Sequence, residues 1–427
     1  MVAYVEYLRR IVDEELDALL PGLAAVSLDG PKGVGKTETA TRRARTVLAL
    51  DEVAQRDLLE ADPDRLARAQ KPVLVDEWQR FPAVWDMIRR GVDRDPSPGQ
   101  YLLTGSATPA DDAPRHSGAG RIVQVRMRPL SLSERGLCIA TVSVQALLTG
   151  ERSPVDGDSS LTLSEYVDEI LASGFPGIRG LPERARRAQL DGYLARIVDR
   201  DFPAQGHLAR RPASLRAWLT AYAGATATTS SYNTILNAAT PGEGNKPAKT
   251  TVIAYRDVLT QLWLLDPIPG WSPSRSALTR LQQAPKHHLA DPALAARLLG
   301  ATRDSLLAGD HQPVLPRDGT LLGALFESLV ALTIQTTAQN AEATTWHLRN
   351  GNGDHEVDFI LERDDHKVVA VEVKLARTVG DQDTVHLRWL ADRLGPDLLD
   401  SVVVTTGQHA YRRTDGIAVV PLALLGP

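Results

Sequence analysis

Eight residues, Gly30-Pro31-Lys32-Gly33-Val34-Gly35-Lys36-Thr37, limit this chain more than any others. They follow an apolar stretch, LAAVSLD at 23–29, and open a segment of helical spacing at about 37–45. The pattern GxxxxGK[ST] between a buried strand and a helix start has a specific physical use. Glycines let the backbone wrap an anion with its N–H groups pointing inward, and the helix N-terminus adds partial positive charge. Lys36 then reaches the β- and γ-phosphates, and the Thr37 hydroxyl ligates Mg²⁺. Gly30 to Thr37 are therefore assigned to ATP, with Mg²⁺ beside it.

The next segments fit around this loop. TVLALD (46–51), PVLVDE (72–77), QYLLTGSA (100–107) and RIVQVRMRPLS (121–131) read as strands, and 81–94 has helical periodicity. Strands alternating with helices imply a parallel sheet with crossover helices. Asp76 ends an apolar strand and is expected to hold Mg²⁺ through water, while Glu77 polarises the attacking water. The tip of the 100–107 strand places Thr104 or Ser106 where a hydroxyl can sense the γ-phosphate. Arg121 is expected as an arginine finger, given in cis or by a neighbouring subunit. The unit spans 1–150 and ends in a linker, TGERSPVDGD.

From about 160 to 290 the pattern is mainly helical, with periodic segments at 183–200, 213–224 and 248–264. The last is followed by LLDPIPGW, so a winged-helix-like arrangement is expected. Lys246, Lys249 and Arg256 would contact a phosphate backbone there. Ala172-Ser173-Gly174-Phe175-Pro176 is read as a structural turn.

A third unit is expected over 315–427, with a long helix at 320–339, strands at 357–361, 367–375 and 401–406, and a helix at 384–395. Glu372 and Lys374 interrupt an apolar strand and share one face of it. A hairpin partner can set Asp358 beside them, and Glu327 on the preceding helix can add a carboxylate. Two carboxylates can hold Mg²⁺ while lysine orients a water. Glu372 and Lys374 are thus catalytic candidates, and Glu327, Asp358 and Glu372 metal candidates. The order resembles the PD-(D/E)xK, or restriction-endonuclease-like, core, with cleavage or a catalytically inactive fold both open.

Composition limits the alternatives. Hydrophobic residues make up 43% and charged residues 24%, as in globular α/β proteins. No apolar run of membrane-spanning length is expected, and Tyr4 to Leu20 reads as an amphipathic helix rather than a leader. Cys138 is the only cysteine, which removes disulfides and cysteine zinc sites and fits the cytoplasm. The net charge of −5 neither demands nor forbids DNA as a partner. The chain carries eight lysines among its 48 basic residues, so each lysine is informative.

Taken together, LDGPKGVGKTETA, VLVDEWQR, YLLTGSAT, SGAGR, RPLSLSE, ASGFPG and the late VDFILE…VAVEVK resemble a bacterial and archaeal family of AAA-type ATPases with a C-terminal domain of unknown function. The resemblance implies an N-terminal ATPase, a central helical and winged-helix region, and a C-terminal nuclease-like domain. ATP and Mg²⁺ are the implied cofactors, with DNA and a homo-oligomer as candidate partners.

Overall fold

The computed structural model describes residues 7–106, 118–206, 212–240, 249–272, 283–308, 320–350 and 354–427. The amino-terminal sheet has five parallel strands: β1 (Ala25–Asp29), β2 (Thr46–Ala49), β3 (Val73–Asp76), β4 (Tyr101–Gly105) and β5 (Val123–Arg126), in the order β2-β3-β4-β1-β5. β1, β3 and β4 are buried along their whole length. Their nearly continuous apolar runs are what a parallel sheet covered on both faces requires. β4 lies between β1 and β3, so the carboxyl ends of the two phosphate-handling strands flank a third.

Helix Ile11–Leu19 begins at Arg10, within the stretch read as an amphipathic N-terminal helix. Arg10 is buried and donates from Nε to Glu134 Oε1 at 2.9 Å and from Nη1 to the Val34 carbonyl at 2.9 Å. Glu134 also accepts from the backbone N–H groups of Ile11 (2.8 Å) and Ser131 (2.7 Å). The RPLSLSE motif therefore ties the amino terminus to the phosphate loop.

The central region holds helices Leu163–Ala172, Glu183–Arg196, Pro212–Gly224, Tyr232–Ala239 and Lys249–Gln261. Its turn at 172–176 docks on the rest of the chain. Ser173 Oγ and the Gly174 N–H each donate to Asp291 Oδ2 at 2.6 Å, and Leu130 N–H donates to the Gly174 carbonyl at 2.7 Å. A Cβ on Gly174 would lie 2.7 Å from that Leu130 backbone's oxygen, so the approach requires glycine. Beyond Gln261 the chain forms an antiparallel ribbon, with Leu265 paired to Leu289 and Ile268 to Lys286.

Helix Leu321–Asn340 is buried nearly all round. It is long and apolar enough to span a membrane by length and composition, contrary to the expectation that no such run exists. Here 72% of that window is buried inside the protein, as in a core helix. It packs between the two sheets. One continuous apolar core runs from Leu16, Val26 and Leu28 through Phe326 and Leu329 to Val371 and Val404.

The second sheet has the order β7-β12-β13-β11-β10-β9-β8. Its members are β7 (Gly157–Asp158), β8 (Thr344–Arg349), β9 (Glu356–Glu362), β10 (Val368–Lys374), β11 (Leu398–Thr405), β12 (His409–Arg412) and β13 (Ala418–Pro421). β9 is antiparallel to β8 and β10, and β11 runs parallel to β10 after helix Val385–Leu394. The stretch read as a linker departs from expectation. Residues 157–158 form β7 on the sheet edge, and β6 (Val142–Ser143) pairs with β14 (Leu425–Gly426). Two-residue strands carry no periodicity to read.

Candidate functional site: a phosphate loop and a lysine-filled acidic pocket

The loop after β1 is built for close approach. A Cβ on Gly30 would lie 2.1 Å from the Met127 carbonyl oxygen, and Gly35 caps the following helix at φ 101°. Lys36 is buried, and its ammonium donates to the carbonyls of Gly30 and Pro31, each at 2.8 Å. Burial pushes this ammonium down to about 8, against the opposing pull of Glu77, Asp29 and Asp76. Thr37 Oγ1 donates to Asp76 Oδ1 at 2.8 Å, and Thr104 Oγ1 donates to the same oxygen. A hydroxyl and a carboxylate converging at two strand ends form a hard-oxygen donor set that fits Mg²⁺.

Glu77 follows at φ 53°, a left-handed conformation uncommon for a side-chain-bearing residue. Its Oε2 accepts from Gln79 Nε2 at 2.6 Å and from Ser106 Oγ at 3.1 Å. The two candidate hydroxyls thus take different partners: Thr104 turns to Asp76 and Ser106 to Glu77. Gln79, part of the VLVDEWQR stretch but assigned no role from sequence, completes the cluster. Lys32 points elsewhere, with Nζ 2.5 Å from Asp201 Oδ1 on the π-helical turn Ile197–Asp201 of the central region.

Arg121 does not join this group. β5 runs parallel to β1 with Asp29 opposite Arg126, so Arg121 lies at the other end of the sheet from Gly30. Six residues of strand separate those levels, roughly 20 Å. Its Nε donates to Asp93 Oδ1 at 2.8 Å, and the side chain is half exposed. A finger in cis is therefore corrected: the position faces away from the chain's own loop.

The second sheet brings Glu327, Asp358, Glu372 and Lys374 into one neighbourhood, with a different cation from the one expected. Lys286, 1% exposed, places Nζ 2.8 Å from Asp358 Oδ1, 3.0 Å from Glu327 Oε1 and 3.2 Å from Glu356 Oε1. Asp358 Oδ2 accepts from the Val373 N–H at 2.8 Å. Lys374 Nζ donates to Glu372 Oε1 at 2.8 Å, and Glu372 Oε2 is buried with no partner among the described residues. No group of three or more metal-ligating side chains among the described residues is arranged to hold an ion. Lys286 thus occupies the space beside Glu327 and Asp358 where a divalent cation was expected, and a cation does not fit there while the ammonium is in place.

The charges follow from this packing. Burial drives the Glu327 and Glu372 carboxyls up, each to about 8, with Asp358 adding to both. Burial also opposes ionised Asp358, but Lys286 outweighs it and holds that carboxyl below its ordinary value. Burial would likewise neutralise Lys286, yet Asp358, Glu327 and Glu356 raise it well above the usual range.

The segment that delivers Lys286 also buries His288, whose two ring nitrogens have no partner among the described residues. Burial lowers His288 to about 3 and His347 to about 4. Both are neutral in the folded chain but protonate near 6.5 when unfolded. Their contribution is full above pH 6.5 and is lost as pH falls toward 4 and 3. Each imidazole contributes a slope of about 1.4 kcal/mol per pH unit in that window. His288→Leu is expected to reduce the pH dependence of unfolding free energy between pH 6 and 4.5 by about one proton. Denaturant titrations with equal slopes for both proteins would contradict it.

Lys246 lies outside the described residues, as does the Lys249 side chain. Arg256 pairs with its neighbour Asp257 at 2.9 Å.

The match to known proteins is decided at the first site. Residues 24–136 match the AAA domain family. Residues 163–305 and 322–425 match two domains of unknown function, DUF8612 and DUF4143. Two uncharacterized proteins, from Mycobacterium bovis and Mycobacterium tuberculosis, are each 24% identical over 423 residues, covering 97% of this chain and 83% of their own. Among solved structures, the Aeropyrum pernix ORC2 protein (ADPNP-ADP complexes) is 15% identical. It covers 75% of this chain and 92% of its own, at a TM-score of 0.26. The AAA match coincides with the five-stranded sheet and its phosphate loop.

Proposed function

We propose that this chain is a Mg²⁺-dependent ATPase that couples nucleotide state to its carboxyl-terminal sheet. The observation that carries it is the convergence of Lys36, Thr37, Asp76 and Glu77 at the carboxyl ends of β1 and β3, on either side of β4. Gly30 to Gly35 would wrap the phosphates, and Lys36 would leave the Gly30 and Pro31 carbonyls for the β- and γ-oxygens. Thr37 and Asp76 would hold Mg²⁺, which supplies positive charge to the phosphates when bound. Glu77, held by Gln79 and Ser106, would orient the attacking water and accept its proton. Arg121 reaches a nucleotide only on a neighbouring chain, so the proposal includes a homo-oligomer. ATP use and the single thiol Cys138 fit a cytoplasmic protein.

The test is Glu77→Gln. It is expected to keep ATP binding, measured with a fluorescent ATP analogue, while Mg²⁺-dependent phosphate release falls about 10²- to 10⁴-fold. Phosphate release at the wild-type rate removes Glu77 from the chemistry.

Two readings of the remaining units follow from the sequence: a nuclease-like domain that acts on nucleic acid, or a nucleotide-switched DNA-binding protein with an inactive nuclease fold. The ammonium of Lys286 among Glu327, Glu356 and Asp358 favours the second. In that reading the unit boundaries are 1–150, 160–290 and 315–427, the 212–261 helices and following ribbon act as a winged helix toward DNA, and the last unit is a restriction-endonuclease-like scaffold.

A further inference from the structure

We propose that Lys286 is a built-in cation holding the acidic pocket of the second sheet in place of a divalent metal, and that withdrawing it uncovers a Mg²⁺- or Mn²⁺-binding site made by Glu327, Asp358 and Glu372. The proposal rests on the nuclease-like reading of those carboxylates.

Geometry supplies the first support. An ammonium has three donors, and Lys286 Nζ meets three carboxylate oxygens at 2.8, 3.0 and 3.2 Å. Beyond these oxygens Nζ lies 6.0 Å from the Phe359 ring, and the stem is fully enclosed. Its charge therefore balances the pocket as a bound ion would, and the pocket's charge in turn keeps the lysine protonated. Removing either side leaves the other buried and unpaired.

The second support is Glu372. Phe359 pairs with Val371 in the antiparallel β9–β10 register, which sets Asp358 opposite Glu372 on one face. Glu372 Oε1 is taken by Lys374, but Oε2 is buried and unpartnered among the described residues. A carboxylate oxygen left without a donor next to Asp358 is a ligand position not served by the lysine.

The third support is how Lys286 arrives. It does not come from the sheet or from the long helix. The ribbon of 264–270 and 284–290 carries it, joined by the pairs Leu265–Leu289 and Ile268–Lys286. The Lys286 backbone exchanges two hydrogen bonds with Ile268, at 2.8 and 2.9 Å. Glu327, Asp358 and Glu372 stay on their own elements if the ribbon shifts. The ribbon is an element of its own, tied to its neighbours by the Trp271 N–H to the His347 carbonyl at 2.6 Å and the His287 N–H to the Thr228 carbonyl at 2.9 Å, so any shift of it carries the cation away from the carboxylates.

The test uses the nucleotide-free full-length chain and MnCl₂, with free Mn²⁺ read by electron paramagnetic resonance. Lys286→Met is expected to bind one Mn²⁺ at least about tenfold tighter than wild type at this site, and the gain is lost in Lys286→Met/Asp358→Asn. Mn²⁺ should also raise the Tm of Lys286→Met and leave that of the double variant unchanged. If Lys286→Met gains no Mn²⁺ site, the carboxylates are not a metal-type set and the nuclease-like reading fails with the proposal. If wild type and Lys286→Met bind Mn²⁺ equally at an Asp358-dependent site, that reading stands and the proposal alone is overturned. Should Lys286→Met fail to fold with or without Mn²⁺, amine acetylation of wild type decides. Lys286 protected without Mn²⁺ and labelled as Mn²⁺ rises supports displacement. Labelling without Mn²⁺, or Asp358-dependent Mn²⁺ binding that leaves Lys286 protected, overturns it.

Discussion

Lys36→Ala is expected to reduce ATP turnover by about 10²- to 10³-fold, the scale seen when one preorganised donor to developing charge is removed. The expectation comes from where the ammonium is held. Nζ sits on two loop carbonyls 2.8 Å away, inside the turn that would wrap the phosphates, and burial leaves its proton less tightly held than in water. Little reorganisation is needed to move it onto a phosphate oxygen, and a phosphate's negative charge restores what burial removes. The variant should still fold, because among the described residues Lys36 makes no ion pair with another element, and its two carbonyl partners belong to the phosphate loop itself. Circular dichroism and a thermal melt like those of wild type, together with phosphate release reduced by about 10²- to 10³-fold, are the expected pair of results. A well-folded Lys36→Ala that hydrolyses ATP at the wild-type rate would remove the loop from catalysis.

The first site was legible because its chemistry is local. Gly30 to Thr37 is contiguous, and Asp76 and Glu77 end a strand whose apolar run predicts burial; parallel pairing through β4 then brings them together. Ser106 and Thr104 could not be told apart, since the choice depends on side-chain direction at the strand end. Gln79 lies in the quoted VLVDEWQR stretch, but nothing there pointed to a role for its side chain. Whether Arg121 could serve its own loop was illegible for a different reason: sequence position after a glycine turn says nothing about which end of a parallel sheet the turn occupies, and register with β1 decides that.

The second site was half legible. Alternation put Glu372 and Lys374 on one face, and the hairpin set Asp358 opposite, but Lys286 comes from a ribbon 41 residues before Glu327 and 72 before Asp358. No pattern in the sequence links residues at those separations. The one available clue was scarcity, because lysine is rare in a chain that otherwise uses arginine. A lysine suits this place physically: its compact ammonium on a flexible stem fits a pocket of carboxylates that a planar guanidinium would not fill in the same way. β7 and the 142–143 pairing were invisible because they are set entirely by tertiary neighbours.

Asp266→Ala is expected to destabilise the fold by about 3–5 kcal/mol, the scale for breaking a buried ion pair from one side. Asp266 is 3% exposed, with Arg126 Nη1 and Arg128 Nε each 2.8 Å from its oxygens. Burial opposes its charge, but the two guanidiniums outweigh that and hold the carboxyl below its ordinary value. Without it, two arginines at the end of β5 are left facing each other with Trp263 alongside. Arg128 also donates to Gln335 (3.1 Å) and Gln339 (2.9 Å) of the long helix, and the Asp266 N–H donates to the His288 carbonyl at 2.9 Å. The carboxylate thus joins the end of β5, whose next residue Met127 packs against the phosphate loop, the helix bearing Glu327, and the ribbon bearing Lys286. Urea unfolding measures the loss, and a change under about 1 kcal/mol would mean that the guanidiniums find water instead. Contiguity alone does not establish coupling between the sites. A second measurement does: if Asp266 ties the ribbon down, Asp266→Ala should also bind Mn²⁺ at the Asp358 pocket more tightly than wild type, because a loosened ribbon holds Lys286 in place for less of the time.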